Sequence, residues 1–153
     1  MFVECNADEA LVRYLTGLSG RQINHELKGK AAICIRLSNG RDEVGMVDED
    51  PDSVQPPYLR SIRLSEDLTN HGIRVYEDDP RRNRLVVLCP RLEEWIIRTV
   101  QDAGLSMGAY GLPDSAITLH RVINYDLRKL QRLLEALSSA CSIRLNTLQG
   151  LLI

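Results

Sequence analysis

The sequence has no apolar run near the ~18 residues that a membrane-spanning helix requires, and no CxxC pair among Cys5, Cys34, Cys89 and Cys141. The first absence argues against a membrane protein. The second removes the usual zinc-ligand spacing. Cys34 and Cys89 lie inside apolar runs, where a free thiol packs as a small hydrophobe. Positive charge is not in excess either: the net charge is −2 and the isoelectric point is near 5.9. A protein that grips duplex DNA unaided carries a basic stripe and a higher isoelectric point, so tight autonomous DNA binding is not expected. No P-loop sequence is present. The stretch MFVECNADEA turns acidic within its first residues, unlike a signal peptide, and the expected compartment is a reducing cytoplasm.

What is present is an ordinary globular composition. Of 153 residues, 44% are hydrophobic and 26% charged, which suits one domain spanning 1–153 with a core that needs no disulfides. Met1 to Glu4 reads as a short strand. Asn6 then offers a helix cap, with Glu9 three residues on, and Ala10, Leu11, Tyr14, Leu15 and Leu18 follow at helical spacing. Residues 22–27 (QINHEL) suggest another short strand. Residues 31–37 (AAICIRL) suit a helix or a buried strand by period alone; a crossover before the next parallel strand favours the helix. Residues 43–47 (EVGMV), 72–76 (GIRVY) and 84–89 (RLVVLC) read as strands. Residues 51–71 read as loop or short helix around Pro56-Pro57, and 77–83 as a polar turn.

Pro90 suits the first turn of a helix that carries Leu92, Trp95, Ile96 and Val100 on one face. Residues 103–118 read as loop. Leu127, Leu130, Leu133, Leu134 and Leu137 mark an amphipathic helix, expected on the sheet, although its stripe also suits a homodimer or a partner helix. A last helix is expected over 143–152. Strands alternate with helices through 1–101, and helices gather over 120–153. The pattern predicts an α/β fold: a mostly parallel sheet with flanking helices and a helical C-terminal cover.

In such folds function gathers at the carboxyl ends of the strands, and two strands here end in acid, at Glu4 and at Asp48 and Asp50. On neighbouring parallel strands these carboxylates share a crevice. Crowded carboxylates raise one another's pKa unless a cation neutralises them, and hard oxygen donors suit Mg²⁺ or Mn²⁺. Phe2 to Asp8 (FVECNAD), followed by Gly45 to Asp52 (GMVDEDPD), resembles the signature of the TOPRIM family, nearest to its OLD-type nuclease branch. The resemblance implies a Rossmann-like sheet and Mg²⁺-dependent phosphodiester chemistry. It gives Glu4 an acid–base role and makes Asp48 and Asp50 the metal ligands, with Asp8 as a further acid. Cys5 and Pro51 stand where that family often has glycine. The resemblance also implies that a non-catalytic module beside a separate ATPase chain is the alternative to a nuclease-like enzyme.

Other readings of these residues are weaker. An EF-hand loop opening at Asp48 needs Gly and Glu where Ser53 and Leu59 stand. A phosphoacceptor receiver domain needs a second acid after Glu4, where Cys5 and Asn6 follow. His25, His71 and His120 have no partners at ligand spacing. Glu93 and Glu94 are explained by the positive end of a helix dipole, with a third-strand ligand as the alternative. Lys28, Lys30 and the Arg81-Arg82-Asn83-Arg84 turn suit a solvated surface or a phosphate grip.

Overall fold

The computed structural model describes residues 1–153. Four strands form one sheet: β1 (Val44–Asp48), β2 (Arg63–Leu68), β3 (Ile73–Asp78) and β4 (Asn83–Leu88), in the order β1-β4-β3-β2. β1 and β4 run parallel from Val44↔Arg84 to Asp48↔Leu88, whereas β3 is antiparallel to both β4 and β2. The expected mostly parallel sheet is therefore a mixed one. The cause is the connection between β3 and β4. The short turn between Asp78 and Asn83 closes a hairpin and is too short for a parallel crossover, which needs a dozen residues or more.

Two further segments extend the sheet in parallel beyond β1 without becoming regular strands, the Phe2 segment beside β1 and the Asn24 segment beside Phe2. Phe2 bridges to Gly45 on one side and to Asn24 on the other. The expected strands at Met1 to Glu4 and 22–27 are thus reduced to single bridges.

Seven helices surround the sheet: α1 (Asn6–Thr16), α2 (Lys30–Asn39), α3 (Pro57–Ser61), α4 (Leu92–Asp102), α5 (Ala116–Tyr125), α6 (Leu127–Ser139) and α7 (Ile143–Leu152). α3 is a short helix within the segment expected to be loop or short helix; Pro57 takes its first position, where no N–H is needed. α1 is capped by Cys5 rather than Asn6, with Asp8 closing the capping box, and ends at Gly17 in the left-handed conformation. α4 begins at Leu92 behind the cap Arg91, so Pro90 lies just outside it.

Side chains alternate across the sheet, as the pleat requires. Leu85 and Val87 of β4 pack with Ile33, Cys34, Leu37 and Leu59 beneath α2 and α3. Val86 and Leu88 face the larger core shared by α1 and α4–α7, with Trp95 buried within it. The leucines of α6 are buried as expected, but α6 packs chiefly on α1 rather than on the sheet. Of the C-terminal helices, α6 packs on α1, α5 on α4, and α7 reaches β4 directly, where Arg84 donates to Leu151 O at 3.2 Å. No helix is long and apolar enough to cross a membrane.

Candidate functional site: an acidic crevice at the strand ends

The N-terminal segment brings Glu4 to β1 through main-chain pairing. Phe2 N donates to Val44 O (2.9 Å), and Met46 N donates to Phe2 O (2.9 Å). The main-chain pairing then stops, and the Glu4 carboxylate takes its place: Asp48 N donates to Glu4 Oε1 at 2.9 Å. Glu4 and Asp48 therefore meet at the end of neighbouring parallel segments, as expected. Asp8 joins them because the chain turns at once into α1, where Cys5 N donates to Asp8 Oδ2 at 3.0 Å. Asp48 is held in turn by α4, whose Leu92 N donates to its Oδ1 at 2.8 Å. The Lys30 N–H, at the start of α2, faces Glu4. Three helix N-termini thus point their unpaired N–H groups into one crevice, a setting that favours negative charge.

Burial opposes that charge and prevails. The Asp48 carboxyl is pushed up to about 9, first by burial and then by the charges of Asp8, Glu4 and Glu93, against the Leu92 hydrogen bond. Asp8 is pushed up to about 7, again chiefly by burial, with Glu4 and Glu93 adding to it and Cys5 opposing. Glu4 is raised by burial and by Asp50, while Asp48 N and the Lys30 ammonium hold it back. Near neutral pH the crevice stores protons on groups that lose them readily in water.

Asp50 has a different neighbour from the one expected. With φ at 43°, it turns its carboxylate to Arg91, whose Nε lies 2.6 Å from Oδ1. Its charge still bears on Glu4. Of the two acids at the start of α4, Glu93 is the one that reaches the crevice, although the helix dipole alone accounts for an acid there. It is buried, its charge bears on both Asp48 and Asp8, and its Oε1 lies 2.6 Å from His120 Nδ1. The available signal was its position one residue into a helix that starts just past β4. Glu94 points elsewhere, toward Arg91 (3.5 Å). His25 rests on Glu9 at 2.6 Å and His71 lies beside Asn70.

Among the basic residues, Lys30 reaches the crevice side. It is buried, and its Nζ donates to Glu49 O and lies 3.5 Å from Ser53 Oγ. Arg81, Arg82 and Arg84 stand at the opposite end of the sheet, paired with Asp78, Asp42 and Glu77. That turn does not border the crevice.

The donor set suits a hard divalent cation. It is made of carboxylate oxygens, and the second Asp48 oxygen takes no hydrogen bond from the protein. The acids feel one another's charge, yet no three of them close around a common point as a finished ligand shell. No protein-family model, curated protein or solved structure matches the chain.

Proposed function

We propose that the chain is a metal-dependent phosphoryl-transfer domain of TOPRIM-like, Rossmann-like type, nuclease-like in action, that cleaves phosphodiesters of nucleic acid. The observation that carries this reading is the meeting of Glu4 and Asp48 at the ends of parallel segments, with Asp8 beside them in the first turn of α1 and their protons held up by burial. Crowded, largely desolvated acids with shifted pKa values are a common mark of functional sites. Asp48 and Asp8 would hold Mg²⁺ or Mn²⁺, with Glu4 sharing the ion and Asp50 joining once released from Arg91. When bound, the ion would polarise a phosphoryl oxygen and lower the pKa of water. Glu4, anchored by Asp48 N, is the acid–base group for the proton of the attacking water. The Lys30 ammonium offsets part of the crevice's negative charge. A reducing cytoplasm suits four unpaired cysteines.

A second reading, a non-catalytic module beside a separate ATPase, draws on the Arg91–Asp50 pair, which neutralises one of the expected ligands. One comparison separates the two. Wild type, Glu4→Gln and Asp48→Asn are incubated in Mn²⁺ with single- and double-stranded DNA and RNA. Cleavage of at least one substrate by wild type is expected, falling about 100-fold or more in both variants. Equal cleavage by all three preparations removes the enzyme reading and leaves the module.

A further inference from the structure

Helix α5 and the start of α6 carry a local excess of positive charge, and α5 is the helix that touches the acid site. Between Ala116 and Arg132 the sequence carries Arg121, Arg128, Lys129 and Arg132 against one acid, Asp126, in a chain of net charge −2. Along the outer side of α5, Ile117, Arg121 and Tyr125 recur at four-residue intervals and so line one stripe. Tyr125 is 95% exposed and Ile117 80%. Beside the stripe, a recess of about 440 Å³ is bordered by Arg121, Tyr125 and Lys129, with Asp126 as its one acid, paired to Arg128.

The inner side of the same helix touches the acid site twice. His120 Nδ1 lies 2.6 Å from Glu93 Oε1, and Asn124 Oδ1 accepts from Ala7 N at 3.2 Å, one residue before Asp8. The stripe therefore lies on the same helix as two residues that touch the acid site, one position along from each. An exposed ring flanked by cations is what an unpaired nucleic-acid strand uses: bases stack on the ring and phosphates meet the cations. A duplex needs a broader basic surface, which this chain lacks.

We infer that the outer face of α5 seats a single strand of nucleic acid, with a base on Tyr125 and phosphates on Arg121 and Lys129, leading the backbone to the acidic crevice. The final clause of that inference rests on the proposed function; the binding itself does not. Successive stripe residues are about 6 Å apart along the helix, the scale of one nucleotide step in an extended strand.

The test is fluorescence anisotropy with the full chain in EDTA at low salt, using a labelled oligo(dT) and a duplex of the same length. Wild type is expected to bind oligo(dT) more tightly than duplex. Tyr125→Ala, at a solvent-exposed position, weakens oligo(dT) binding roughly 5- to 100-fold, while Tyr125→Phe binds as wild type. Arg121→Glu weakens binding and flattens its salt dependence. The inference is overturned by a wild type that ignores oligo(dT) or prefers duplex, or by Tyr125→Ala binding as wild type. It is also overturned if Tyr125→Ala splits a homodimer in light scattering without changing oligonucleotide affinity. EDTA keeps the two proposals separable: intact binding with no cleavage in Mn²⁺ sinks the enzyme and keeps the docking face. Cleavage of bis(p-nitrophenyl) phosphate, too small to reach Tyr125, with no oligonucleotide binding does the reverse.

Discussion

Asp48→Asn is expected to melt above the wild-type protein at pH 8 in EDTA, an unusual outcome at a half-buried, hydrogen-bonded position. The Asp48 carboxyl sits at about 9 in the folded protein and near ~3.9 when unfolded. The folded state therefore keeps a proton that the unfolded state gives up. Stability from this group is complete below the unfolded value and drains away as pH climbs toward the folded one. Asp8, at about 7, adds the same trend over a narrower window, finished near neutrality. Wild type in EDTA should thus lose melting temperature from pH 5 to pH 9. Asparagine carries no charge to bury, and its Oδ1 can still accept from Leu92 N. The gain at pH 8 should reach at least about 2 kcal/mol, or ~5 °C for a chain of this size. Mn²⁺ should raise the wild-type melting temperature by mass action and leave Asp48→Asn unmoved. A wild type flat across that pH range, or an Asp48→Asn protein that melts lower in EDTA at pH 8, would oppose this reading of the crevice.

Leu130→Ala is expected to cost roughly 2–5 kcal/mol in urea unfolding. Leu130, Leu133, Leu134 and Leu137 are all buried on one side of α6, where α6 meets α1. Truncation there leaves a cavity that a packed interior closes only in part. A cost below about 1 kcal/mol would mean that the stripe is loosely covered. The same contact matters for the site, because α1 carries Asp8 and is capped by Cys5, the residue after Glu4.

Periodicity made the helices legible. The leucines of α6 stand out from a pattern of 3.6 residues, and the apolar runs in β1 and β4 from their lack of polar interruption. β2 was hidden for a physical reason. As the outermost strand it is largely exposed and bulges between Leu64 and Glu66, so RLSEDL carries little apolar alternation. The direction of β3 was legible and was misread: the polar turn at 77–83 is too short for a crossover, so β3 and β4 had to be antiparallel.

At the site, the meeting of Glu4 and Asp48 followed from two strands ending in acid, because parallel neighbours deliver their ends to the same place. The turning of Asp50 to Arg91 did not follow. Its partner is 41 residues away, and only the folded path of Pro90 and Arg91 past the end of β1 brings them together. Glu93 was visible as a charge at a helix start. Its burial beside Asp48 depends on how α4 docks, and the helix dipole alone was a sufficient explanation of its presence.

The most direct measurement is calorimetric titration of the protein with Mn²⁺ at pH 7.5, in two buffers of different ionisation enthalpy. A cation entering a crevice whose Asp48 still carries its proton must expel it. Binding to wild type should therefore release on the order of one proton per ion, and both the binding and the release should vanish in Asp48→Asn and Glu4→Gln. Binding without proton release, or binding that survives in both variants, would contradict a metal site built on Glu4, Asp8 and Asp48.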